Sequence, residues 1–260
     1  MNNKTFGIIV VVILIVLGAY FLFARGTEDE NESENNTQVR GSQVQVHPIF
    51  HAAMRLSWAG QDIYTDPVGT AALSGMPEPD LILITDVHGD HLNVDTVKAF
   101  SKADTVLVVP QVVADALPQD LAGTVVVLRN GETTNQKGFV ITGVPMYNVP
   151  ESQAAPHVKG RGNGYVLEAE GKRVYIAGDT GNTEEIRALQ SIDIAFIPMN
   201  LPFTMSVDDA AQAVLAFKPK QVFPYHYRGQ DGLSDVNRFK QLVNEKDSTI
   251  DVQLRNWYPQ

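Results

Sequence analysis

Four side chains able to bind a metal lie within the short stretch Asp86-Val87-His88-Gly89-Asp90-His91. Two carboxylates and two imidazoles so close together supply oxygen and nitrogen donors, a set that suits zinc, manganese or iron. Asp86 and His88 are two apart and point the same way in extended chain, while Gly89 lets the backbone turn and bring Asp90 and His91 round. Such a loop can serve two adjacent ions. Any one of these residues alone reads as part of a solvated polar turn; all four directly after an aliphatic run read as ligands. That run, Leu81-Ile82-Leu83-Ile84, is the element that must position them, and its length and flanking Pro79 and Gly89 predict a strand buried on both faces.

Further donors lie downstream. Arg173 to Ala177 reads as a strand delivering Gly178-Asp179-Thr180-Gly181, where a carboxylate between glycines is placed to bridge two cations. The alternative is that Asp179 caps a helix over Thr183 to Leu189. His157 and His226 are each a lone loop histidine. The glycines of Lys159-Gly160-Arg161-Gly162-Asn163-Gly164 invite a phosphate-cradle reading, but no helix follows to supply the anion site.

The segment Asp86 to His91 resembles the His-X-His-X-Asp-His signature of the metallo-β-lactamase fold hydrolases, with Asp86 standing where the family has its first histidine. The resemblance runs from Val44 to Leu254. Over Leu81–Leu92, His157–Asp179 and Leu201–Arg228 it is nearest to the lactonase-like branch, which includes ascorbate-6-phosphate lactonase and the phospholipase D that cleaves N-acyl phosphatidylethanolamine. The resemblance implies an α+β chain folded as a four-layer αβ/βα sandwich, with the site between the edges of two facing sheets. It implies Asp86, His88 and His157 around one ion, Asp90, His91 and His226 around a second, and Asp179 between them.

Two divalent ions held this way bring the pKa of a shared water from ~15.7 toward neutrality. The expected activity is therefore hydrolysis of an ester, lactone or phosphodiester by a metal-bound hydroxide, with Asp90 steering or relaying a proton. The expected cofactors are two divalent ions, zinc first; the harder oxygen of Asp86 lets manganese or iron compete better than at an all-histidine site, and leaves open a weakly occupied first position. The alternative is a non-catalytic metal-binding domain displayed at a membrane. The sequence has no cysteine and no Gly-X-Ser-X-Gly, so neither a thiol nor an elbow serine competes as nucleophile.

Around the ligands, Tyr225, Tyr227 and Arg228 flank His226 as candidate substrate contacts. The planar fork of Arg228 matches a carboxylate or phosphate, or else pairs with a neighbouring aspartate. Phe203 reads as a substrate wall or as packing. Asp66, in an Asp66-Pro67 pair that recurs near the site in the lactonase-like relatives, reads as a brace behind a ligand. His51 stands either behind the ligands or on the surface.

The rest of the chain divides into three. Residues 1–26 carry an almost unbroken apolar run, Phe6 to Phe23, whose roughly 18 residues make about 27 Å of helix against a ~30 Å hydrocarbon core. Leu22-Phe23-Ala24 is a poor cleavage site, so an uncleaved transmembrane anchor with the remainder outside the cytoplasm is expected; cleavage would make the protein secreted. Residues 27–43 are acidic and without apolar periodicity, a flexible linker. Residues 44–260 form the hydrolase domain. The formal charge of −10 and the lack of a basic stripe exclude a general nucleic-acid binder, leaving small-molecule or lipid substrates and the membrane as partners.

Overall fold

The computed structural model of the protein describes residues 43–259, and Val44–Gln260 forms one compact unit. The expected anchor over residues 1–26 and all of the expected linker but Gln43 lie outside the described residues. Among the described residues, no helix is long and apolar enough to cross a membrane.

Six strands make the first sheet in sequence order: β1 (Gln45–Phe50), β2 (Ala53–Trp58), β3 (Gln61–Thr65), β4 (Leu81–Leu83), β5 (Val106–Val109) and β6 (Thr124–Val127). The first three are an antiparallel meander, whereas β3 to β6 run parallel. Parallel neighbours need crossovers, supplied after β4 and β5 by α1 (Val94–Phe100) and α2 (Gln111–Ala116). The second sheet contains β7 (Thr133–Gln136), β8 (Phe139–Met146), β9 (Gly162–Ala169), β10 (Lys172–Ile176), β11 (Ile194–Pro198), β12 (Gln221–Tyr225) and β15 (Asp251–Val252), in the order β15-β12-β11-β10-β9-β8-β7. Its half from β10 to β15 is parallel, connected through α3 (Glu184–Arg187), α4 (Val207–Phe217) and α5 (Val236–Lys246). A small hairpin, β13 (Arg228–Gly229) and β14 (Gly232–Leu233), follows β12.

The period of two along β4 explains the layering. Leu81 and Leu83 join Leu56, Trp58 and Ile63 against Tyr165, Leu167 and Ile176 of the facing sheet. Ile82 and Ile84 point the other way, into a second cluster with Val97 of α1 and Val113 of α2. The aliphatic run is thus buried on both faces, as its composition predicts. Val214 and Phe217 of α4 and Phe239 and Val243 of α5 pack with the second sheet, so the order is helices, sheet, sheet, helices: a four-layer α+β sandwich. At ~1.5–3 kcal/mol for each buried large apolar side chain, this core can carry a cluster of buried charges at one edge.

Polar side chains cap the helix starts. Asn93 accepts from the Thr96 amide ahead of α1, and Ser206 accepts from the Asp209 amide ahead of α4. The helix after Asp179 is capped by Thr183, whose side chain accepts from the Ile186 amide. Asp179 is therefore not the cap, and its carboxylate is free for the strand edge. The hairpin β7–β8 and the start of β9 at Gly162, inside what reads as a glycine-rich loop, were not apparent from composition.

Candidate metal centre

Open α/β sheets gather ligands beyond the carboxyl ends of their parallel strands, and here both sheets do so at one edge. Asp66 follows β3, the Asp86–His91 loop follows β4, Asp179 follows β10 and His226 follows β12. The loop after β4 is closed by the His91 and Leu92 amides, which both donate to the His88 carbonyl at 2.9 and 2.8 Å. His226 adopts a left-handed φ of 47° and donates its amide to the carbonyl of His51, itself left-handed at 57° in the β1–β2 turn.

Asp90, His91, Asp179 and His226 bring their donor atoms within 4.8 Å of one another. His91 Nε2 lies 3.4 Å from Asp179 Oδ2 and 3.7 Å from Asp90 Oδ2, and His226 Nε2 lies 3.3 Å from Asp179 Oδ1 and 3.4 Å from Asp90 Oδ2. The two Nε2 atoms are 3.2 Å apart. Four donors at ~2.0–2.2 Å from a tetrahedral ion stand about 3.4 Å from each other, so the spacing fits a cation. The His91 tautomer fits as well. His91 Nδ1 is 2.9 Å from Asp66 Oδ2, which fixes the proton there and turns the Nε2 lone pair inward. Asp66 is itself held by the Thr85 amide and hydroxyl, each donating at 2.7 Å.

His157 points a further nitrogen at the shared carboxylate. Its Nδ1 faces the Phe203 carbonyl at 3.1 Å and Asn148 Oδ1 at 3.2 Å, leaving Nε2 directed at Asp179 Oδ2, 3.2 Å away. His157 Nε2 and Asp179 Oδ1 are buried with no hydrogen-bond partner. Burial alone would raise the Asp179 pKa, but His226 and His91 outweigh it and hold the carboxyl well below its ordinary range. Burial would likewise lower His91, yet Asp179 and Asp66 hold it well above its ordinary value. The cluster draws positive charge, and buried lone pairs without donors are what a metal ion satisfies.

Asp86, His88 and His157 form a second group of the same compactness, with the His88 and His157 ring centroids 5.1 Å apart. The environment of Asp86 is different. Its Oδ2 accepts from Arg161 Nη2 at 2.8 Å and lies 2.8 Å from His88 Nδ1, while Oδ1 faces Arg161 Nε at 3.2 Å. His157 Nε2 stands farther off at 3.8 Å. Arg161 was not singled out from the sequence; nothing local to it signals a partner at the end of β4.

A cleft of about 370 Å³ opens onto the centre, lined among others by His51, His88, Asp90, Asn200, Phe203 and Arg228. His51 is in the site rather than on the surface: its Nε2 is 3.4 Å from Asp90 Oδ2, its Nδ1 2.8 Å from the Tyr258 hydroxyl, and its ring 3.8 Å from that of His226. Burial lowers its pKa despite the nearby Asp90. The Arg228 guanidinium lies 4.2 Å over Tyr258 and pairs with no carboxylate among the described residues. Tyr225 and Tyr227, expected beside the substrate, do not line the cleft. Tyr225 is fully buried and its hydroxyl accepts from the Gly178 amide at 2.9 Å; Tyr227 donates to the Arg255 carbonyl at 3.3 Å and packs on Tyr258. Tyr225 thus braces the turn that carries Asp179, while Tyr227 packs the C-terminal segment.

Residues 45–226 match the family model described as a Beta-lactamase superfamily domain. A UPF0173 metal-dependent hydrolase of Thermococcus onnurineus is 33% identical over 80% of this chain and 95% of its own. One of Thermus thermophilus is 33% identical over 78% of this chain and 92% of its own. Among solved structures, a protein of Parabacteroides distasonis is 38% identical with a TM-score of 0.73, covering 82% of this chain and 92% of that one. Igni18, a metallo hydrolase of Ignicoccus hospitalis, is 23% identical with a TM-score of 0.69 over 82% of this chain and 95% of its own, a likeness of fold. With the fold, the donor cluster and these relatives in agreement, the chain belongs to the metallo-β-lactamase superfamily, within its UPF0173 family of metal-dependent hydrolases.

Proposed function

We propose that this hydrolase cleaves an ester, lactone or phosphodiester of a small-molecule or lipid substrate, with water as the nucleophile. The observation that carries the proposal is the set Asp90, His91, Asp179 and His226, whose lone pairs converge at the floor of an open cleft. Zinc is the first candidate for that set, with manganese or iron behind it. A divalent ion held there would acidify a water and polarise the oxygen under attack.

The chain's own residues supply the remainder. Asp90 is the half-exposed member of the set. Burial acts to raise its pKa, but His226 and His51 more than offset this and keep it ionised. An anionic carboxylate there orients an incoming water by accepting its hydrogen. His51 keeps Asp90 aimed into the site from behind. Phe203, 41% exposed on the cleft wall, offers an apolar surface to the non-reacting part of a substrate. Arg228, stacked on Tyr258, holds a positive charge at the same cleft, suited to a carboxylate or phosphate. The Asp66-Pro67 pair and the motif spacing support a place beside the lactonase-like branch. The apolar run of residues 1–26 supports a membrane tether with the domain outside the cytoplasm.

Turnover of p-nitrophenyl esters, simple lactones and bis-p-nitrophenyl phosphate tests the activity. At least one class should be hydrolysed, lose rate on chelation, regain it on adding zinc or manganese, and fall by ~10²–10⁴-fold in His91→Ala or His226→Ala. Inactivity on all three classes with metal bound would favour a binding module. Partition of the full chain into washed membranes tests the tether.

A further inference from the structure

We propose that Arg161 stands in for a second metal ion: the centre holds one resident divalent ion, on Asp90, His91, Asp179 and His226, and the guanidinium clamped on Asp86 supplies the other positive charge. The inference rests on the reading of that four-donor set as a metal site. It departs from the expectation that Asp86, His88 and His157 hold an ion of their own.

The two donor groups differ in what already satisfies their carboxylates, although His157 Nε2 of the second group is itself without a hydrogen-bond partner. In the four-donor set the nitrogens and carboxylate oxygens face each other, and Asp179 Oδ1 has no hydrogen-bond partner. At Asp86 both oxygens are engaged by donors. The guanidinium presents Nε to Oδ1 at 3.2 Å and Nη2 to Oδ2 at 2.8 Å, the two-point fork that matches a carboxylate. His88 is crowded as well: its Nδ1 lies 2.8 Å from Asp86 Oδ2, and its Nε2 lies 3.5 Å from Arg161 Nη2. A dication in this triad would compete for oxygens already taken and sit against a fixed positive charge.

The arginine is also built into place. The Asn163 amide donates to the Thr85 carbonyl at 2.9 Å, stitching the start of β9 to the residue before Asp86. Asn130 Nδ2 donates to the Gly162 carbonyl at 2.9 Å and to Asn163 Oδ1 at 2.6 Å, and Asn163 Nδ2 donates to the Leu128 carbonyl at 2.7 Å. Gly162 allows this approach, because a Cβ there would lie 2.7 Å from the Thr85 carbonyl oxygen and 3.4 Å from Asp86 Oδ1. Four hydrogen bonds thus fix the two residues that follow Arg161, beside a carboxylate that is fully buried. A buried aspartate at this position needs a cation, and the chain provides one covalently.

Metal counting tests the inference without recourse to activity. The full chain and its variants are loaded with excess manganese, desalted and measured by elemental analysis, with manganese EPR to distinguish isolated from coupled ions. Wild type should carry one ion per chain with an uncoupled spectrum. His88→Ala, changing a half-exposed residue, should still carry one. Arg161→Ala, which releases Asp86, should rise to two, as should the double variant Asp86→His with Arg161→Ala. Two coupled ions in wild type, loss of an ion in His88→Ala, or a count of one in both arginine variants with native melting curves would overturn it. A count of zero in wild type would instead overturn the metal-site reading beneath it.

Discussion

Asp66 never touches the cleft, yet it decides which nitrogen of His91 faces the donor set. Its Oδ1 accepts the Thr85 amide and its Oδ2 faces both the Thr85 hydroxyl and His91 Nδ1. An amide in place of the carboxylate can turn an N–H toward Nδ1 and push the proton to Nε2, where the lone pair is needed. Asp66→Asn should therefore weaken metal binding by ~10–100-fold, read by competition with a chromogenic chelator, while the fold persists. Arg228 is the opposite case, a residue facing substrate. Arg228→Ala should lower kcat/KM about 10–100-fold for anionic substrates, the worth of one charge-assisted contact, and leave neutral esters within about twofold. Equal losses on both would remove Arg228 from substrate recognition.

Strand β9 carries a prediction at the scale of an element. Its first residue, Gly162, packs so closely that an added Cβ would meet Met146 Cε at 2.2 Å and the Thr85 carbonyl oxygen at 2.7 Å. The methionine tip can move; the backbone oxygen, hydrogen-bonded to Asn163, cannot without opening the seam between sheets. Gly162→Ala should cost ~1–3 kcal/mol, a drop of about 2–12 °C in Tm at ~2–4 °C per kcal/mol for a domain of this size, measured by thermal denaturation of the metal-free protein. The same strand explains what could be read in advance. The β4 run and the donor loop were legible because each is a local pattern within a few residues. The glycines around Arg161 read as a loop because glycine usually marks a turn, whereas here it admits a neighbouring backbone. The Asp86–Arg161 pair spans 75 positions and leaves no periodic trace. Thr133–Gln136 is a half-exposed polar edge strand, so it lacks the apolar alternation that reveals strands. Tyr225 and Tyr227 flank His226 in sequence, but the chain direction at the end of β12 turns them into the packing behind it.

Across the whole molecule, the centre is the place where the two sheets are joined by charge. Asp90 and His91 come from the first sheet, Asp179 and His226 from the second. Within this cluster a cation would both cancel carboxylate repulsion and cross-link two layers that otherwise meet through apolar packing. A ligand that binds only the folded state stabilises it by ~2.7 kcal/mol at one hundred times its Kd, which at ~2–4 °C per kcal/mol is about 5–11 °C in Tm. Stripping metal from the full chain should lower Tm by that amount, and restoring zinc or manganese should recover it in a concentration-dependent way. His226→Ala should melt at the same temperature with and without chelator, since it removes a donor from each layer's meeting point. His88→Ala should keep nearly the whole shift, because its partners are Asp86 and Arg161 and not the four-donor set. A wild-type melt unmoved by chelation, in protein whose metal is verified as removed, would mean that the sheets are held together without the ion and that the donor cluster contributes nothing to the fold it sits in.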